Sequence, residues 1–292
     1  MSDKRSSRGR QPSLLRSLFP RKQKRVLLLT GGGTRGAAQV GMLKELVNSG
    51  LEFDAVVGCS VGSLNAASFA SLPESETIEE LEQLWRSLRN KDIFPLSPLN
   101  LLQGLSKKPN LFGDSALRKV IKSHLKIENL SETKLPLAIM TTELLSGRSV
   151  AWRQGSALDI LIASSALPGA YPPVRLDDGK LHIDGGVSSA IPVRVALDVF
   201  DATEIWALDV LGRPNKEEHQ TARDVINTAF SHSNNVVAGH EIDLLRNHRK
   251  VGFHHIKLPD DLKALDSSTF ARTDELIEAG SQSAKTYLEA LK

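Results

Sequence analysis

The sequence predicts an α/β layered fold around a mostly parallel central sheet, and three observations predict it. Short, apolar, branched runs at residues 26–30 and 55–58 each end at a glycine-bearing turn, as buried parallel strands do. Each run is followed by a stretch of helical spacing or of small helix-forming residues. Two further runs of the same kind, 135–141 and 204–210, carry the alternation of strand and helix into the second half of the chain.

Taken in order, 26–30 is the first strand and 37–47 the first helix, with Val40, Leu43, Leu46 and Val47 as its inner stripe. The second strand, 55–58, leads into a small-residue helix through Leu64, Ala67 and Ala70. Ser156-Ala157-Leu158-Asp159 reads as a capping box opening a helix that stops near Leu167, because Pro168 follows. Residues 174–176 and 180–184 flank Asp177-Asp178-Gly179, a hairpin signal. Leu276, Ile277, Gly280, Ala284, Tyr287, Leu288 and Leu291 fall at helical spacing and predict a closing helix. There is no internal repeat.

Charge divides the chain. Residues 1–25 hold nine basic side chains against Asp3 alone, whereas the whole chain is only +3, so residues 26–292 carry −5. The expectation is a basic, disordered tail over 1–25 and one α/β domain over 26–292. Leu14, Leu15, Leu18 and Phe19 fall on one side of a short arginine-flanked helix, so the tail also fits a peripheral contact with an anionic membrane surface. No run reaches the length of a spanning helix, and no apolar h-region marks a secretory signal. A cytoplasmic protein, at most peripheral at the inner membrane surface, is expected. One cysteine, Cys59, excludes an internal disulfide framework and a multi-Cys zinc site. Few aromatics on an acidic body argue against a nucleic-acid partner.

Three loops carry chemistry. Gly31-Gly32-Gly33-Thr34-Arg35-Gly36 lies between a strand and a helix and satisfies G-x-G-x-x-G. Its backbone N–H groups suit an anion, either a pyrophosphate or a developing oxyanion. A dinucleotide site needs an acid ending the next strand, but Glu52 and Asp54 precede that strand, which counts against an oxidoreductase. Gly58-Cys59-Ser60-Val61-Gly62 is G-x-S-x-G at a strand-to-helix junction, the nucleophile elbow. The glycines two residues either side leave room for a sharp turn around Ser60. Cys59 has valines at those places and reads as packing.

A serine nucleophile needs a base. His232, His240 and His248 are spaced by eight, a drifting surface row on a helix, and His254-His255 flank a probable strand. His182, two before Asp184 on one strand face, is the histidine to test. None is marked as the partner. Asp184-Gly185-Gly186 ends a strand and offers a carboxylate there, although a turn aspartate bonding its own backbone reads the same way.

Together and in this order, the 31–36, 58–62 and 184–186 segments resemble the patatin-like phospholipase family. The resemblance extends to Ser63-Leu64-Asn65-Ala66-Ala67, to Ala163-Ser164-Ser165-Ala166-Leu167-Pro168-Gly169 and to Tyr171-Pro172-Pro173, covering about 26–195, with 196–292 as a C-terminal completion. It departs at Ser188-Ser189-Ala190-Ile191-Pro192, where family members often carry Asn before the proline. The resemblance implies a three-layer α/β/α fold distantly like an α/β-hydrolase, and a Ser–Asp dyad without histidine. Ser60 would attack an ester carbonyl, Asp184 would take its proton, and the 31–36 loop would hold the oxyanion with Arg35 anchoring it. It implies no metal or other cofactor, and a lipid or ester substrate of phospholipase A or lysophospholipase type. A lipid-binding protein without activity on the same fold is the alternative. Residues 93–102, apolar and interrupted by prolines, fit a lid, a membrane-dipping edge or a loop packed over the core.

Overall fold

The structure is a computed structural model that describes residues 23–95, 110–213, 222–248, 250–263 and 269–292. Its elements follow the apolar pattern. β1 (Arg25–Leu29), α1 (Gly36–Asn48), β2 (Ala55–Cys59) and α2 (Val61–Ser71) form two strand–helix units. α3 (Ser75–Ser87), the short α4 (Asn90–Ile93) and α5 (Ser115–His124) come next, before β3 (Leu137–Glu143), β4 (Ser149–Trp152) and α6 (Ala157–Ser164). β5 (Val174–Arg175), β6 (Leu181–Asp184), α7 (Val193–Asp198), β7 (Glu204–Asp209), α8 (Ala222–Asp243), β8 (Gly252–Lys257), α9 (Asp260–Lys263) and α10 (Thr273–Glu289) complete the order.

The strands form one eight-stranded sheet whose hydrogen-bonded path runs β5-β6-β3-β2-β1-β7-β8, with β4 also paired to β3. From β3 to β8 every pairing along that order is parallel. β4, β5 and β6 pair antiparallel. Alternate residues of each central strand serve opposite faces. Leu27, Leu29, Val56, Ile139, Trp206 and Leu208 pack into one core, with α1, α2, α3, α6 and α10. Val26, Leu28, Val57, Met140, Ile205 and Ala207 pack into the other, with α7 and part of α8. The fold is therefore three-layer α/β/α. β7, β8 and α10 extend the sheet and layers begun by residues 26–195. α10 crosses α1 backbone to backbone: a Cβ on Gly41 would lie 1.9 Å from the Ile277 carbonyl, and one on Gly280 1.9 Å from that of Ala38.

Several boundaries differ from the sequence reading. Arg25, assigned to the tail, is the first residue of β1: its guanidinium pairs with Glu204 at 2.9 Å, and Lys24 donates its N–H to Thr203. Residues 1–22, which carry the rest of that prediction, lie outside the described residues. β3 begins two residues late, because Leu135 gives its N–H to Ala70 at the end of α2 and Pro136 has none to give. α6 opens on the expected Ser156 cap but ends at Ser164, which frees the Ala166 carbonyl to accept from the Asp184 N–H. His254 and His255 lie inside β8, with His254 stacked on Trp206 at 4.0 Å. Among the described residues, no helix is long and apolar enough to cross a membrane.

Candidate active site

The site lies where β1, β2 and β6 end. β2 and β4 both pair with Ile139 and Met140, so they occupy opposite edges of β3. β4 and β6 both pair with Thr141 and Thr142, which puts β6 on the edge that β2 occupies. The two strands therefore meet end to end along one edge of β3, running in opposite directions. Cys59 stands opposite Met140 and Asp184 opposite Thr141, so the residue after β2 faces the last residue of β6.

Ser60 is that residue, and its backbone is held at φ 51°, ψ −129°. A non-glycine side chain at positive φ stores strain that the surroundings must hold. The flanking glycines supply the room. A Cβ on Gly62 would lie 2.4 Å from the Leu29 carbonyl oxygen, and one on Gly58 2.6 Å from the Ser63 Cα. The Ser60 N–H donates to Ser164 Oγ at 3.0 Å, while the Ser60 carbonyl accepts from Ser63.

The Ser60 hydroxyl donates to Asp184 Oδ2 at 2.6 Å, and the other oxygen of that carboxylate accepts from the Gly186 N–H at 2.8 Å. Burial raises the Asp184 carboxyl from 3.8 to about 6, against the opposing pull of these two hydrogen bonds. Gly185 lies against β3, where a Cβ would meet the Met140 carbonyl at 2.4 Å. Thr142 Oγ1 fixes the Asp184 carbonyl at 2.9 Å. The result is a buried base of raised basicity in contact with a strained hydroxyl.

The glycine loop borders the same point. A Cβ on Gly31 would sit 3.0 Å from the Ser60 Cβ, and one on Gly32 2.5 Å from the Val210 carbonyl, so the backbone itself forms the wall. Gly33 turns through φ 60°, and Gly33, Thr34 and Arg35 make a single 3-10 turn before Gly36 opens α1. Arg35 Nε donates to the Val210 carbonyl at 3.1 Å, and the guanidinium packs on Gly212. Gln39 bonds the Thr30 carbonyl at 2.8 Å; Asn65 bonds Gly36 and Gln39, and Trp85 donates to Asn65. This buried chain ties β1, α1, α2 and α3 around the loop. Neither Gln39 nor Trp85 sits in a sequence motif, and only a buried amide at a helix start signals their role.

The other candidates lie elsewhere. His182 is fully buried, with one ring nitrogen 2.9 Å from Thr141 Oγ1 and the other 3.2 Å from Asp178. Both nitrogens are thereby engaged, and neither contacts Ser60. His232, His240 and His248 are exposed. Cys59 is buried on the far face of β2, where burial and then the charge of Asp184 push its thiol up. Asp54 accepts from the Arg25 N–H at the start of β1, at the opposite end of the sheet from the glycine loop. Among the described residues, no group of His, Cys, Asp or Glu is arranged to hold a metal ion.

Ser60 opens onto a cavity of about 780 Å³. Much of its lining is apolar, from Leu81, Leu84, Trp85 and Leu88 of α3 and its end and from Leu117 and Ile121 of α5. Phe94, Phe112 and Tyr171 cluster beside it, and the Tyr171 hydroxyl donates to the Ile93 carbonyl at 2.6 Å. Ile93 and Phe94, the start of the segment read as a lid, thus pack as part of the wall; Leu96 to Leu102 lie outside the described residues. The lining also includes Gly186, Gly212 and, from α8, Phe230, Ser231 and Asn234.

The sequence model of the family described as Patatin-like phospholipase matches residues 27–197. The chain is 29% identical over 185 residues to neuropathy target esterase sws of Drosophila melanogaster, which covers 63% of this chain and 13% of that protein. The identity and coverage are the same for patatin-like phospholipase domain-containing protein 6 of Homo sapiens. The match therefore spans only a small part of these relatives. Among solved structures, VipD from Legionella pneumophila aligns with a TM-score of 0.54 at 14% identity, covering 92% of this chain and 67% of that one. At that identity the likeness concerns the fold alone.

Proposed function

Because this chain belongs to the patatin-like phospholipase family, we propose that it is a carboxylic ester hydrolase acting on lipid acyl esters, of phospholipase A or lysophospholipase type. The observation that carries the reading is the 2.6 Å hydrogen bond from the strained Ser60 hydroxyl to buried Asp184, at the foot of an apolar cavity. Ser60 Oγ attacks the ester carbonyl carbon while Asp184 takes its proton. The tetrahedral oxyanion is held by backbone N–H groups of the 31–36 loop, where losing one donor costs about 10²–10³ in rate. Asp184 then returns the proton to the leaving alcohol. Water attacks the carbonyl of the acyl-Ser60 ester and gives its proton to Asp184, which returns it to Ser60 Oγ as the fatty acid departs.

An aspartate at its ordinary value is a weak base for a hydroxyl. Raising Asp184 to about 6 narrows that mismatch while leaving it ionised at neutral pH. The apolar lining from α3 and α5 takes the acyl chain. In this reading residues 26–292 act as one catalytic unit, and the basic segment 1–25 gives a peripheral contact with an anionic membrane on the cytoplasmic side. Co-sedimentation with anionic liposomes, compared between the full chain and 23–292, which keeps Lys24 and the β1 residue Arg25, tests that contact.

The decisive experiment incubates the protein, Ser60→Ala and Asp184→Asn with a fluorophosphonate probe and a short-chain p-nitrophenyl ester. Labelling at Ser60, with turnover lost in both variants, is expected. Folded protein that neither labels nor turns over would replace this reading with that of a lipid-binding protein.

A further inference from the structure

Strand register sets Ser60 and Asp184 opposite each other, but it does not hold the Ser60 backbone. The parallel ladder of β2 on β3 ends at Cys59 and Met140, and α2 starts at Val61. The Ser60 N–H therefore falls between a strand and a helix, where neither the ladder nor the helix supplies an acceptor. The Ser60 carbonyl is taken by the N–H and hydroxyl of Ser63. A serine at φ 51° stays there because its surroundings over-determine it, which makes the partner of the N–H decisive.

That partner is Ser164 Oγ, 3.0 Å away. Ser164 is the last residue of α6; it is fully buried and is not among the residues that line the cavity, so it meets Ser60 and not the substrate. Two residues on, the Ala166 carbonyl accepts the Asp184 N–H at 3.0 Å. One short stretch of chain thus binds the backbone N–H of the nucleophile and that of the base. The stretch is itself fixed. The Ser165 N–H donates to the carbonyls of Leu161 and Ile162, that of Ala166 to Ala163, and that of Leu167 to Ser165. At its other end α6 is held by the Ser156 cap and by Asp159, which pairs with Arg118 of α5 at 2.6 Å.

We infer that Ser164 is a positioning residue for catalysis: its hydroxyl, acting with the Ala166 carbonyl, clamps nucleophile and base from a single turn and so sets the contact between Ser60 and Asp184. The inference rests on the ester hydrolase reading above and deepens it. Without that hydroxyl the Ser60 N–H is left buried with no acceptor. The residue is then free to relax toward negative φ, which draws Oγ away from the carboxylate. The clamp also spends the Ser60 N–H on Ser164, so this N–H is not a donor to the tetrahedral oxyanion.

The test compares wild type, Ser164→Ala and Ser164→Thr on a short-chain p-nitrophenyl ester from pH 4 to 9, with a thermal melt of each. Ser164→Ala is expected to lower kcat by about ten- to a hundredfold with KM within a few-fold, and to slow fluorophosphonate labelling of Ser60 in parallel. Its pH profile carries the signature of a displaced nucleophile. The hydrogen bond from Ser60 lowers the Asp184 carboxyl against the effect of burial, so losing it should move the apparent pKa of kcat/KM above the wild-type value. Cys59, the titratable neighbour of Asp184, stays protonated throughout, because burial pushes its thiol up. Loosened packing at the end of α6 would lower the melting temperature without moving that pKa. Ser164→Thr restores an acceptor hydroxyl and is expected to return the pKa and most of kcat. An alanine variant with wild-type kcat and pKa overturns the inference and leaves the hydrolase standing, as does a folded threonine variant that behaves like alanine. A wild type that neither labels nor hydrolyses the ester overturns the hydrolase reading itself.

Discussion

Asp184→Asn should abolish turnover and make the protein more stable at neutral pH. The folded chain raises this carboxyl from 3.8 to about 6, a value already net of the hydrogen bonds from Ser60 and Gly186. Above pH 6 the ionised form therefore costs the fold about 3 kcal/mol relative to the unfolded chain. The protonated form is favoured on folding, so wild-type stability from this group is fully present below 3.8 and lost as pH rises through 6. Asparagine keeps the shape and removes the charge. At pH 8 the variant should gain up to about 3 kcal/mol, at about 2–4 °C in Tm per kcal/mol for a chain of this size. The gap should close between pH 6 and 4. Thermal melts of both proteins from pH 4 to 8 measure it, alongside the pH dependence of wild-type kcat/KM, which should rise through an apparent pKa near 6. A gap independent of pH, or a wild type more stable at pH 8, would refute the argument.

Four further outcomes follow from the geometry. Ser60→Gly should be more stable than Ser60→Ala by about 1–3 kcal/mol in urea unfolding, since both lack the hydroxyl and only alanine keeps the strain at φ 51°. Gly62→Ala should displace the elbow or prevent folding, because its methyl would meet two carbonyl oxygens at 2.4 and 2.5 Å; well-folded, fully active protein would contradict the packing described. His182→Ala should keep its fluorophosphonate labelling rate within a few-fold while melting at lower temperature, and loss of labelling would put histidine back into the mechanism. Cys59 should resist a thiol reagent at pH 8 until denaturant is added, because it is buried and its thiol is pushed up.

What the sequence made legible was the set of features bound to backbone geometry. Glycines at 58 and 62 are dictated by neighbouring atoms, largely backbone, that a Cβ would strike, so the elbow is written in single letters. β1 and β2 are buried on both faces, which makes them unbroken apolar runs. β8 is harder to read: it is an edge strand whose sequence, Gly-Phe-His-His-Ile-Lys, mixes polarity because its side chains are only half buried. β4, Ser-Val-Ala-Trp, is four residues long and only partly buried, too short a run to show a period. Gln39 and Trp85 were out of reach for a different reason. Their importance comes from which turn or strand end their helices approach, and no local pattern carries that information.

The end-to-end meeting of β2 and β6 along β3 makes the spacing of nucleophile and base a property of strand register. Slipping either strand by one residue moves its side chain by roughly 3.3 Å and to the other face, so the pair cannot drift by small amounts. Ser60 and Asp184 are either in contact or absent from each other's reach. Surrounding loops can then lengthen, shorten or change character to suit different alcohols and acyl chains without retuning the distance between the two groups that do the chemistry. In such a scaffold substrate preference is free to diverge quickly, while loss of activity comes as a single discrete step.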